Sequence, residues 1–337
     1  MKLSSISKKM KLLSLGAATL LAAGVFAGCG GSQESASSGG KTYKVGIVQL
    51  VEHNALDAAN KGFVDGLKER GFEEGKNVTF DKQNAQADQS NLQNIAQRFV
   101  SVKMDIICAI ATPAAQTVAN ATKEIPIVGT AITDYVGAKL AASNEKPGGN
   151  VTGTSDMNPI KEQIDLLMKI KPEAKTIGVI YCSSEVNSEV QVKAMQEYAE
   201  SKGLTVKVAT ISTVNDIQQA AQSLVGSVDA FYEPTDNVIA SAMPTLVAIT
   251  DAAKLPIICG EPNMVKAGGL ATYGIDYYKL GVQTGHMAAD ILEGKSKPAD
   301  MSIELAKDLK ITINKADAAR LGITIPEDVL KDADLVE

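Results

Sequence analysis

From Tyr43 onward the hydrophobic pattern keeps switching period, and that alternation constrains the fold more than any other feature of the chain. YKVGIVQL is a short β-branched apolar run, and a helical pattern follows from Asn54 to Arg70. In it Ala55, Ala58, Ala59, Phe63 and Leu67 fall on one side, and Lys61, Asp65, Lys68 and Glu69 on the other. Gly71 ends the helix. The same unit repeats: strand 77–83, helix 89–102, strand 105–110, helix 113–121, strand 125–129. After a break at EKPGGN (145–150) come helix 159–170, strand 175–181, helix 186–202, strand 204–210, helix 214–225, strand 228–232, helix 238–253, strands 256–259 and 269–273, and helix 276–293. Uninterrupted apolar strands between amphipathic helices imply parallel sheets covered on both faces. The break divides them into two doubly wound α/β lobes with right-handed crossovers. The short remainder over 300–337 is too small for a domain, so it returns to complete one of the sheets.

The first 29 residues carry a second message. Lys2, Lys8, Lys9 and Lys11 precede an apolar run from Leu12 to Phe26, and Ala27-Gly28-Cys29 closes it. This is the layout of a secretory signal peptide, with an apolar run too short for a comfortable membrane span. Cys29 after a small pair is similar to a lipobox, the bacterial signal for acylating that cysteine as the new N-terminus. Residues 1–28 are therefore expected to be a leader. GGSQESASSGGK, within 29–41, reads as a flexible tether. The mature chain is expected outside the cytoplasm, held to a bacterial membrane by lipid. About 295 residues remain, enough for two domains. Loss of the leader lowers the formal net charge from −6 to −10, an acidic balance that argues against nucleic acid or anionic lipid as partner.

Ligands of open α/β sheets sit beyond the carboxyl ends of the strands. Those ends are rich in short polar residues here: Thr112, Ser155, Asp156, Ser183, Ser184, Thr235, Asp236 and Asn237. Hydroxyls, amides and helix starts suit an anion, and a carboxylate such as Asp236 suits an ammonium; the same residue types also serve simply as helix N-caps. Cys108, Cys182 and Cys259 each end an apolar run and lack metal or disulfide spacing, so they read as small buried residues. The sequence holds no GxGxxG after its first strand, no GxxxxGK[ST], no HExxH and no GxSxG. Its two histidines are His53, beside Glu52 at the first strand end, and His286 in a helix. Binding rather than catalysis is the expectation, with no cofactor and no metal.

KVGIVQLVEHNALDAANKGFVDGLKERGF, AIATPAAQ, YCSSEVNSEVQ, EPTDNVIAS and GGLATYGIDYYKLG resemble the substrate-binding lipoproteins of ABC importers, within them the type whose characterised members take up tryptophan or tyrosine. The resemblance runs from Tyr43 to the C-terminus. It implies a type I periplasmic-binding-protein fold, two lobes joined by a three-strand hinge around a trapped ligand. The lobes would be 42–153 plus 275–305, and 154–274 plus 306–337. By the same resemblance Gln49, Glu52, His53, Leu56, Thr112 and Ala115 would wall the first lobe, with Ser155 and Asp156 after the first crossing. Ser183, Ser184 and Asn187 would take a carboxylate, Asp236 an ammonium with Thr235 and Asn237 in support, and Glu261 would close the second side.

The implied role is capture of a small amino acid, aromatic in family terms (tryptophan or tyrosine), and delivery to an ABC permease with its ATPase subunit, by a monomer. The residues leave open another solute (a branched-chain amino acid, a nucleoside or a purine), a membrane-attached sensor, and an extracellular enzyme on the same scaffold.

Overall fold

The computed structural model describes residues 41–337, so the leader, Cys29 and the tether up to residue 40 lie outside the described residues. In chain order the elements of the first part are β1 (Tyr43–Gln49), α1 (Asn54–Glu69), β2 (Val78–Asn84), α2 (Gln89–Ser101), β3 (Ile106–Ile110), α3 (Thr112–Ala121), β4 (Ile127–Ile132) and β5 (Val151–Ser155). Then come α4 (Ile160–Ile170), β6 (Thr176–Cys182), α5 (Val186–Ser201), β7 (Thr205–Ile211), α6 (Ile217–Leu224), β8 (Ala230–Glu233), α7 (Asn237–Ser241), α8 (Met243–Ala252), β9 (Ile257–Cys259), α9 (Pro262–Lys266) and β10 (Ala271–Ile275). The chain ends with α10 (Tyr277–Leu292), β11 (Glu304–Leu305), β12 (Leu309–Asn314), α11 (Lys315–Leu321), α12 (Glu327–Leu330) and β13 (Ala333–Val336).

Two sheets result, a six-stranded one in the order β11-β5-β4-β3-β1-β2 and a seven-stranded one in the order β13-β12-β10-β9-β8-β6-β7. Each is the centre of one lobe. Strands β3 and β4 are buried along their whole length, as their unbroken apolar runs require of a sheet covered on both faces, and so is β5 beside them. Edge strands β2 and β7 expose part of theirs. The chain passes between the sheets three times, after β5, after β10 and after β11. The order reverses beside β1 in one sheet and beside β6 in the other, and at such points the strand ends open a crevice.

Helices α1 and α10 of the first lobe pack at unusually short range. A Cβ on Gly62 would lie 2.1 Å from the Tyr278 carbonyl oxygen, and one on Gly281 would lie 2.1 Å from that of Ala59. Only hydrogen at these positions lets the two backbones touch, since side-chain size sets the distance between helix axes. The consequence is mechanical: His53 at the head of α1 and Tyr277 at the head of α10 are held by one rigid pair.

The structure differs from the sequence pattern in four places. Strand β5 follows the EKPGGN break directly, where no strand was expected, because VTGTS has little bulk to mark it. Helix α9 fills the gap between strands 256–259 and 269–273; it is five residues long, too short to show a period. The span 238–253 is two helices, interrupted at Ala242 (φ −127°) just ahead of Pro244. And the C-terminal remainder completes both sheets rather than one, β11 joining the first and β12 and β13 the second, where β12 runs antiparallel to β10 and makes that sheet mixed.

Candidate ligand-binding cleft

The carboxyl ends of both sheets face one another across a narrow gap, whose free volume is only about 10 Å³. Its walls come from the loops after β1 (His53, Ala55, Leu56), β4 (Ala131, Thr133), β5 (Asp156), β6 (Asn187), β8 (Thr235, Asp236, Asn237, Ala240), β9 (Glu261, Met264) and β10 (Tyr277). A wider groove beside the hinge carries Lys279 and Lys310, but these pair with Asp308 (2.7 Å) and Asp334 (3.2 Å) and stand open to solvent.

On the second-lobe side the loop after β8 is tied down by carboxyls. Asp236 caps α7, its Oδ1 accepting from the Ile239 N–H at 2.9 Å; its Oδ2 accepts from the Cys182 N–H and the Ser188 hydroxyl, both at 2.7 Å. Glu185 accepts from the N–H groups of Asn237 and Val238 at 3.1 Å and from the side-chain amides of Asn187 (2.8 Å) and Asn237 (2.6 Å). Burial, and then the neighbouring Asp236 charge, push the Glu185 carboxyl up from its ordinary value; burial also raises Asp236. Glu261 caps α9 through the Asn263 N–H (2.6 Å) and the Met264 N–H (2.8 Å), and burial pushes its pKa up to about 7. Behind them Glu233 is fully buried with neither oxygen hydrogen-bonded, and desolvation raises its carboxyl well above the ordinary value.

The first lobe offers a different surface. His53 precedes α1, and neither α1 nor α3 has a side-chain cap. The main-chain N–H groups at the start of α1, whose Ala55 and Leu56 border the gap, are thus left without an intrahelical partner. His53 Nε2 meets Asn237 Oδ1 at 3.2 Å across the gap, and burial lowers its pKa, so it is neutral at pH 7. Asp156, at the first crossing, accepts from Thr133 (3.1 Å) and Tyr277 (2.7 Å) hydroxyls, and burial raises it. Ala131, an L residue at φ 55°, turns β4 into this wall.

Eight of the residues expected from the sequence line the gap together: His53, Leu56, Asp156, Asn187, Thr235, Asp236, Asn237 and Glu261. The other seven lie off it. Gln49 is buried beneath α1, bonding Val51, Asp57 and Asn60. Glu52 is exposed. Thr112 and Ala115 are buried in α3, the Thr112 hydroxyl without a partner. Ser155 donates to the Thr133 carbonyl. Ser183 and Ser184 are exposed; the first donates to the Ile211 carbonyl, and the second lies against Cys182 and a groove beside α3. The place foreseen for a carboxylate at the start of α5 is occupied by the Glu185 side chain, which bonds Asn187 and the head of α7. Residues not foreseen are Ala55, Ala131, Thr133, Ala240, Met264 and Tyr277, with Glu185 behind them. Tyr277 alone carried a signal, as a ring opening a helix at a strand end.

Residues 44–337 match the family model described as ABC transporter substrate binding protein. This chain belongs to that family. Substrate-binding proteins of this kind work outside the cytoplasm and bind without chemistry, and the two-lobed fold is the type I periplasmic-binding-protein fold. The substrate-binding protein is 45% identical over 315 residues to a tyrosine-binding protein of Clostridioides difficile, covering 91% of each chain. It is 43% identical to an ABC domain from Streptococcus pneumoniae solved in complex with L-Trp, covering 88% of this chain and 100% of that one, at a TM-score of 0.85. Against the ligand-free, open structure of a Clostridium difficile substrate-binding protein with adhesive properties, identity is 46%, coverage 88% and 99%, and the TM-score 0.68. At similar identity, the superposition on that open structure is the poorer of the two. No helix among the described residues is long and apolar enough to cross a membrane.

Proposed function

We propose that this substrate-binding protein captures a free aromatic amino acid between its lobes and passes it to an ABC permease. The observation that carries the reading is the division of the cleft wall. Ala55, Leu56, Ala131, Ala240 and Met264 supply an apolar part, while Asp156, Asn187, Asp236 and Glu261 supply an acidic, hydrogen-bonding part. A zwitterion with an apolar side chain matches both. Its ring, burying 150–250 Å², gains roughly 4–6 kcal/mol from burial alone. Its ammonium lies toward the carboxyls, and its carboxylate toward the uncapped start of α1, which favours negative charge. The tyrosine and tryptophan named for the relatives point to the aromatic class.

The lobes, taken as 42–153 plus 275–305 and 154–274 plus 306–337, close as rigid bodies about the three crossings, and ligand bridging them favours closure. Cys29 carries the lipid that keeps the protein beside its permease, and the protein acts as a monomer. A thermal-shift screen of amino acids, with nucleosides and sugars as controls, tests the reading. Tyrosine and tryptophan should raise Tm as ln(1 + [L]/Kd); stabilisation by a sugar or nucleoside with none by any amino acid overturns it.

A further inference from the structure

The cleft is lopsided in what it can offer the two charges of an amino acid. Asp156, Asp236 and Glu261 line it, Glu185 stands directly behind, and no Lys or Arg is among the lining residues. The one base present, His53, is held neutral and already engaged with Asn237. Two helix starts of the second lobe, those of α7 and α9, have no donor left for an anion. Those of α7 are taken by Asp236 and Glu185, and those of α9 by Glu261.

Asn187 supplies the independent clue. Its Nδ2 faces three acceptors, Glu185 Oε2 (2.8 Å), Ser188 Oγ (3.3 Å) and the Thr235 carbonyl (3.3 Å), which fixes the amide against a flip. Its Oδ1 is then left as a buried acceptor with no partner, on a residue only 4% exposed that lines the gap. A buried acceptor without a donor is costly until something supplies one. Among carboxyls and with no cation at hand, the group that fits is a cationic N–H donor: a primary ammonium.

We propose that recognition is led by the ligand's ammonium, received at Asn187 Oδ1 among Asp156, Asp236 and Glu261, and that the cleft therefore also takes aromatic primary amines lacking a carboxylate. This rests on the amino-acid reading above. The carboxylate finds only main-chain N–H groups and no Lys or Arg, inside a wall of several acids, so its removal is cheap. The ammonium has no substitute.

Calorimetric titration of the intact protein with L-tyrosine, tyramine and 3-(4-hydroxyphenyl)propionate, and with tryptophan, tryptamine and indole-3-propionate, tests it. Each amine should bind within about tenfold of its parent, and each acid should be weaker by about a hundredfold or more, the scale of a lost charge-assisted hydrogen bond in a buried site. Asn187→Leu should weaken the amines about tenfold and narrow the amine-to-acid ratio, a change that loss of packing alone does not produce. The wild-type ligand series decides the matter even if that variant fails to fold. Acids binding as well as amines, or both losing equally, overturn ammonium-led recognition while the amino-acid reading stands. Amines binding while tyrosine and tryptophan do not overturn the amino-acid reading instead; silence from all six compounds overturns both.

Discussion

His53 Nε2 lies 3.2 Å from Asn237 Oδ1, and this hydrogen bond joins the head of α1 in one lobe to the head of α7 in the other. The orientation of Asn237 is not left to chance, because its Nδ2 is held by Glu185 at 2.6 Å. A buried carboxyl in the second lobe thus aims an amide oxygen at a histidine of the first. A second link, from Gln191 Nε2 to Thr133 Oγ1, is longer at 3.4 Å.

Removing the histidine should loosen closure without disturbing either lobe. His53→Ala is expected to speed release of tyrosine or tryptophan about 3–10-fold, the scale of one net hydrogen bond, with little change in the Tm of the unliganded protein. Stopped-flow dissociation checks it; an unchanged release rate contradicts the latch.

Glu185 should matter for stability more than its absence from the cavity wall suggests. Glu185→Ala strands the Asn237 and Val238 N–H groups and two side-chain amides, and should cost about 3 kcal/mol in denaturant unfolding. Glu185→Gln keeps the shape but sets an NH₂ group against other donors, so an intermediate loss is expected. A midpoint unchanged by the alanine variant rules this out.

The pH dependence has a definite sign. Burial raises Asp156, Asp236 and Glu185, and raises Glu261 from 4.5 to about 7, above their unfolded values. The folded protein therefore holds more protons than the unfolded chain between about pH 4.5 and 8, Glu185 being pushed up to about 8. Stability from these groups is fully present below that window and lost as pH rises through it. His53, whose value is lowered by burial and which has Asp57 nearby, acts in the opposite sense below 6.5. A bound ammonium favours the ionised carboxyls, so binding should release protons and affinity should climb from about pH 5 to 7.5. Titration in buffers of different ionisation heat reads the proton count directly; net uptake near pH 6 is the contrary result.

Much of this was legible in the chain before any coordinates. Periodic elements such as α1 and α4, and apolar strands such as β3 and β6, announce themselves because one physical requirement, burial, repeats along them. The second-lobe loop with Asp236 and Asn237 was visible as short polar residues at a strand end. What stayed hidden was direction. Ser183 and Asn187 lie four positions apart beside the same helix start, yet one faces solvent and the other the cleft, and only packing against Glu185 separates them. Small residues such as Ala131 and Ala240 line the cavity by what they leave open, and composition has no signature for that.

The proposed lipid anchor at Cys29 can be tested apart from the cleft. Cys29→Ser should abolish incorporation of labelled fatty acid and move the protein from the membrane fraction to the medium or soluble extract, with ligand affinity unchanged. Retention in membranes after that substitution contradicts acylation at this cysteine.

The central claim is that one aromatic amino acid is gripped between two lobes. The direct measurement is calorimetric titration of protein stripped of bound ligand by unfolding and refolding, with L-tyrosine and L-tryptophan alongside a hexose and a nucleoside. One site per chain, saturated by an aromatic amino acid and silent to the sugar and the nucleoside, is the expected result. Saturable binding of the sugar or nucleoside, with no heat from either amino acid, contradicts it.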